Sequence, residues 1–149
     1  MKNKEIAVTP TITAGIYAAG DAVGGLLTFA AAASVYKGEG DITKLVIIDD
    51  AMQDAILDLW LFSETFTPTA DNAPFDPSDA DLQNCIGCLH IAAADYEDGV
   101  DNSVATLECE FAFTLAASGT SLFGQLVSPT DTPTYAAVDD LTVKITVRR

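Results

Sequence analysis

The sequence predicts an all-β protein, an antiparallel β-sandwich or jelly-roll-like barrel of seven to nine strands with at most a short helix. Three observations carry this expectation. Leu107, Cys109, Phe111, Phe113 and Leu115 alternate with Glu108, Glu110, Ala112 and Thr114, a period of two that fits a half-buried strand and no helix. Leu141, Val143, Ile145 and Val147 alternate with Thr142, Lys144, Thr146 and Arg148 in the same way. Turn residues recur at short intervals between such runs, and the long crossover helices that parallel strands require are missing.

Residues 1–13 read as an N-terminal arm or edge strand ahead of a single β domain over 14–149. Ile6, Val8 and Ile12 are the arm's apolar positions, and Pro10 bars it from the middle of a sheet. Gly20-Asp21 marks a turn and Gly24-Gly25 a second, before Leu26 to Phe29. Ala30 to Ala33 could start a helix on propensity alone, but Ser34, Val35, Tyr36 and the Lys37-Gly38-Glu39-Gly40 turn argue for a strand end and a tight loop. Lys44 to Asp49 is a β-branched run.

The next segment has two readings. Met52, Ile56, Leu59 and Phe62 have helical spacing, whereas Leu57, Leu59 and Leu61 alternate with Asp58, Trp60 and Phe62. The aromatic content favours a central strand over Ile56 to Ser63. Thr65 to Asp81 is irregular, with Pro68, Pro74 and Pro77, and Ser78 with Asp81 resembles an N-cap and its N3 acid, opening a helix of one or two turns over Asp79 to Cys85. Ile86 to Ala92 reads as a strand, Asp95 to Asn102 as an acidic loop, and Val104 to Leu115 as the long alternating strand. Ser118-Gly119-Thr120 makes a hairpin loop into Leu122 to Val127; Thr130 to Thr134 is a loop, and Leu141 to Arg149 closes the fold.

Charge excludes some functions. Twenty-two Asp and Glu against seven Lys and Arg give a net charge of -15, which would repel a phosphate backbone, so nucleic acid is not an expected partner. Sixteen of the acids are aspartate, a turn-favouring residue, which places the charge in loops and rims. The longest weakly polar run, Ala22 to Val35, falls short of the roughly 20 residues of a membrane span. The N-terminal run has no secretory hydrophobic region, and three cysteines make a poor disulfide framework. Folding in a cytoplasm with free thiols is expected.

Candidate chemistry is sparse. Cys85, Cys88 and His90, with Cys109 elsewhere, total four potential zinc ligands. On a strand, however, Cys85 and Cys88 would face opposite ways, and Cys109 is in register with core positions. Two aspartate-rich loops offer oxygen ligands to calcium, one with Asp71, Asp76, Asp79 and Asp81, the other with Asp95, Glu97, Asp98 and Asp101, but neither has EF-hand spacing. His90 is the single histidine, no nucleophile-elbow pattern surrounds any serine, and no glycine run has dinucleotide or Walker spacing. The expectation is no enzyme, no catalytic residue, and no cofactor or metal beyond a weak calcium possibility.

Several runs carry a family resemblance: Ala18-Ala-Gly-Asp-Ala-Val-Gly-Gly-Leu-Leu, Val46-Ile-Ile-Asp-Asp-Ala, Asp71-Asn-Ala-Pro-Phe-Asp-Pro-Ser-Asp-Ala-Asp-Leu, Asp101-Asn-Ser-Val-Ala-Thr, Gly119-Thr-Ser-Leu-Phe-Gly-Gln-Leu-Val, Thr132-Pro-Thr-Tyr-Ala and Asp139-Asp-Leu-Thr-Val. Together they resemble small virion structural proteins of tailed bacteriophages, of the head-decoration or capsid-cement kind. The resemblance implies an assembled β protein without catalytic residues, bound to the major capsid protein on the outer surface of the head. That role suits a homotrimer, with Ile6, Val8 and Ile12 as interface residues adding the arm to a neighbour. The alternative is a receptor- or carbohydrate-binding jelly-roll module of a tail or fibre, for which Trp60 is the only tryptophan available. The acidic Glu108 and Glu110 and the basic Lys144, Arg148 and Arg149 are expected to pair across a sheet or to meet a neighbouring subunit.

Overall fold

A computed structural model describes residues 2–115 and 119–149. Among these residues nine strands form two antiparallel sheets: β1 (Asn3–Val8), β2 (Asp21–Phe29), β3 (Glu39–Asp49), β4 (Leu57–Phe62), β5 (Cys85–Ile91), β6 (Tyr96–Asp98), β7 (Ser103–Thr114), β8 (Leu122–Ser128) and β9 (Leu141–Arg148). The five-stranded sheet runs β1-β9-β3-β7-β6 and the four-stranded sheet β2-β8-β4-β5. The antiparallel pairs are nested, β1 with β9, β2 with β8, β3 with β7 and β4 with β5. The chain is thus a long hairpin rolled so that its successive nested pairs alternate between two layers. The protein is an all-β sandwich, and its two sheets do not close into a barrel.

Period-two patterning decides what faces inward. Leu141, Val143, Ile145 and Val147 of β9 are fully buried against Leu45 and Ile47 of β3 and, across the core, Leu57, Leu59 and Leu61 of β4. The strand reading of Ile56 to Ser63 therefore holds over the helical one. The alternation in β7 also holds, with Ala105 and Phe113 buried and Glu108 and Glu110 exposed.

The outer face of the four-stranded sheet is not bare. The irregular segment after β4 lies across it as a strap. Phe66 stacks on Phe62 with ring centroids 3.9 Å apart, and Phe75 covers Trp60 at 5.0 Å. Gln125 of β8 donates from Nε2 to the carbonyls of Gly24 and Thr69 at 3.0 and 2.7 Å, while its Oε1 accepts from Thr69 N–H at 3.1 Å. A buried amide needs such partners, because leaving it unpaired would cost about 1–3 kcal/mol. The strap also runs along the edge of β2, where Ala22 N–H donates to Ala73 O at 2.8 Å and Asn72 N–H to Ala22 O at 2.9 Å. This explains why β8 is buried on both faces, Gln125 and Val127 included.

Several local expectations need correction. Gly24-Gly25 is not a turn but a bulge inside β2, where pairing slips between Val23 and Leu27 and Gly24 has φ +77°. A Cβ there would lie 2.8 Å from the Pro10 side chain, so glycine is required both for φ and for space. The strand end and tight loop expected in place of a helix at Ala30 to Ala33 do hold: β2 stops at Phe29, Ala31 turns with φ 55°, and Ala32 and Ala33 pack into the core. β3 starts at Glu39, ahead of the expected Lys44. The capped helix is a single turn, α1 (Asp79–Leu82), with Ser78 Oγ accepting from Asp81 N–H at 3.1 Å. The expected acidic loop Asp95 to Asn102 follows a 3-10 turn over Ala93–Asp95 and contains the short β6. Ser118 of the expected hairpin loop lies outside the described residues.

The N-terminal segment is an edge strand of the chain's own sheet over Asn3–Val8. Ile6 and Ile12 are buried in its core and Val8 packs against it. Glu108 and Glu110 do not meet the bases of β9, because β3 lies between β7 and β9 and adds a full strand spacing, about 5 Å. The ion pairs formed are Lys144 with Glu5 at 3.4 Å and Arg148 with Asp41 at 3.3 Å. No helix among the described residues is long and apolar enough to cross a membrane.

Candidate functional site

β5 carries the cysteine–histidine run. Alternation on this edge strand puts Cys88 and His90 on one face, and pairing with β4 sets His90 opposite Asp58 and Cys88 opposite Trp60. His90 Nδ1 lies 2.7 Å from Asp58 Oδ1. Ligand atoms of Asp58, Cys88 and His90 all lie within 4.8 Å of one another, and this is the only such group of three among the described residues. The His90 side chain is 73% exposed and that of Asp58 15%, so the cluster opens to solvent at the rim left uncovered by the strap.

Of the four potential zinc ligands in the sequence, the fold unites two. Cys85 lies beyond the irregularity at Gly87 and outside the group; Gly87 has φ 141° and packs under Phe111. Cys109 belongs to the other sheet, packing against the core with its Sγ 3.5 Å from Ile42 O. Asp58, the third member, was missed. Its signal lay in the Leu57-Asp58-Leu59 alternation, which turns the carboxylate outward on a strand; what period two does not reveal is which strand lies beside it.

The chemistry of the cluster is not that of a cysteine nucleophile. Burial foremost, then the Asp58 charge and Cys85, push the Cys88 thiol up to about 12, whereas an activated cysteine needs its thiolate favoured. The cluster instead offers three ligand atoms to a cation.

The aspartate-rich loops are put to other uses. Asp71 accepts from Thr13 Oγ1 at 2.6 Å, Tyr17 OH at 2.6 Å and Gly24 N–H at 2.7 Å, which fastens the strap to the N-terminal segment and the β2 bulge. Asp95 accepts from Ala92 N–H at 2.8 Å. Neither loop gathers three ligand atoms as the Asp58 cluster does.

A second feature lies at the ends of the sandwich. Lys2, Lys4, Lys37, Arg148 and Arg149, five of the seven bases, gather where β9 ends. Lys2 N–H donates to Arg149 O at 3.2 Å and Lys4 Nζ to Ala30 O at 3.3 Å. Lys37, Arg148 and Arg149 line a groove of about 430 Å³ with Glu39, Asp41 and Phe113. Beside it Val35 and Tyr36 are exposed, Tyr36 at 95%. The opposite end is acidic: Asp50 N–H bonds Asp140 O, Asp54 N–H bonds the Asp49 carboxylate, and Asp131 accepts from Ile56 N–H. Glu97 and Asp98 stand there as well, on β6 opposite Val104 and Ser103.

Compared with known proteins, the chain matches no family model and no curated sequence.

Proposed function

We propose that the protein is a structural binding module of a tailed-phage virion, a decoration or cement protein that docks on the outer surface of the head. The partner is taken from the resemblance of its sequence runs to such proteins. The docking mode is taken from the segregation of charge: a chain of net charge -15 keeps five of its seven bases at one end, next to exposed Val35 and Tyr36. A basic end with an aromatic anchor suits an acidic site on the major capsid protein, with steering by charge and affinity from the buried ring. The acidic remainder deters non-specific association.

The nested strand pairs support this reading by analogy, since they follow the order of double-sheet jelly rolls, an architecture shared by viral capsid and lectin domains. Binding the assembled shell in preference to free subunits would stabilise it by linkage, about 2.7 kcal/mol per site at a hundredfold excess over Kd. A homotrimer would place three such ends around a three-fold position. A glycan-binding role finds less support, because Trp60 packs against Phe75 and offers little free ring face.

The test is copy number and location in purified virions. Copies comparable to the major capsid protein, on the head, are expected; a handful per particle, or a tail location, overturns the reading. Lys37→Glu with Arg149→Glu should weaken capsid binding and its salt dependence together.

A further inference from the structure

We propose that Asp58, Cys88 and His90 form a surface site for a thiophilic divalent cation of the zinc class. The donor set is one carboxylate oxygen, one thiolate sulfur and one imidazole nitrogen, which suits a borderline-soft metal and disfavours calcium or magnesium. The three residues project from two directly hydrogen-bonded strands, so their backbones are fixed relative to one another. Tetrahedral coordination at about 2.0–2.3 Å places ligand atoms roughly 3.3–3.8 Å apart, and the three atoms here already lie within 4.8 Å. His90 Nδ1 and Asp58 Oδ1, now 2.7 Å apart, would move apart to admit the ion, by rotation of the exposed His90 side chain.

Satisfaction of the ligands points the same way. Cys88 Sγ has only a long contact, 3.9 Å to Leu89 O, and Asp58 has no lysine or arginine partner among the described residues, its one ion pair being with His90. A cation would neutralise the carboxylate and take the sulfur as thiolate, the thiol proton passing to solvent. The fourth position faces water at the sheet rim, open to a solvent molecule or a donor from another protein. The site is independent of the docking reading.

The competing account is a plain Asp58–His90 ion pair with Cys88 a bystander, and cobalt(II) distinguishes the two. Titration of the full-length protein under reducing conditions should give one equivalent bound, with a sulfur-to-cobalt charge-transfer band and the visible bands of a tetrahedral ion, displaced by zinc. Cys88→Ser should abolish the charge-transfer band, and His90→Ala, at an exposed position, should weaken binding at least about 10-fold. Cys85→Ser and Cys109→Ser should retain the band. Absence of the band in the native chain, its persistence in Cys88→Ser, or its loss only in Cys85→Ser or Cys109→Ser overturns the proposal. Unchanged affinity in a folded His90→Ala variant does so too.

Discussion

The Tyr17 hydroxyl donates to Asp71 Oδ1 at 2.6 Å and accepts from Thr13 N–H at 2.7 Å, so one phenol joins the N-terminal segment to the strap. Burial first, and the hydrogen bond to Asp71 second, push this phenol up to about 12, which keeps it a donor throughout the neutral range. Asp71 holds two further donors besides. Asp71→Ala would leave Tyr17, Thr13 and the Gly24 N–H without their acceptor; Tyr17 and Gly24 are buried, and with each buried orphan costing about 1–3 kcal/mol the expected loss is about 2–6 kcal/mol. Urea unfolding checks this; a loss below about 1 kcal/mol would mean that water replaces the carboxylate.

Tyr135 packs edge-on against Tyr17, with centroids 5.9 Å apart and planes at 73°, yet its buried hydroxyl has no partner among the described residues. The two rings therefore predict opposite signs. Tyr135→Phe removes an unsatisfied polar atom and should leave stability equal or raise it by about 1 kcal/mol, whereas Tyr17→Phe should lower it by about 1–2 kcal/mol. Thermal melts of the two variants side by side decide the matter, and a Tyr135→Phe variant as damaged as Tyr17→Phe would show that its hydroxyl is bonded in solution.

Acidity at the far end of the sandwich sets the pH dependence. Asp49 is fully buried; burial raises its carboxyl above the ordinary 3.8, against the pull of three backbone donors from Gln53, Asp54 and Ala51. A carboxyl raised in the folded state favours folding most when protonated. Its contribution is complete below pH 3.8 and is lost as pH rises through the higher folded value. Melting temperature is therefore expected to rise as pH is lowered from neutrality toward that range, and the slope should flatten in Asp49→Asn. A melting temperature that falls over the same interval would contradict this assignment.

How much of this was legible in the sequence differs by residue. Period two in β4, β7 and β9 announced both the strands and the faces they bury, because local alternation and tertiary burial agree there. Gly24-Gly25 misled, since a bulge and a turn ask for the same residue and only the neighbour, Pro10, tells them apart. The strap was visible as an irregular segment, but not its use; Phe66 and Phe75 are isolated aromatics until Phe62 and Trp60 lie beneath them. Asp71 counted as one acid among many, and its role as an acceptor follows from donors 47 to 58 residues away. Asp58 and His90 meet for the same reason: a pattern assigns a side chain to a face, while register assigns its partner.

The position of β9 has a consequence for how the protein is made. This strand sits between β1 and β3, so the five-stranded sheet cannot close while the ribosome still holds residues 141–148. Until then Leu45 and Ile47 have an open flank, and β1 has no strand to pair with. At elongation rates of about 5–20 residues per second, the nascent chain spends several seconds with its apolar strands waiting for the final one. Emergence of residues 141–148, and not the appearance of any earlier hairpin, is the event that completes the sandwich. A message truncated before residue 141 should yield a product that never becomes protease-resistant.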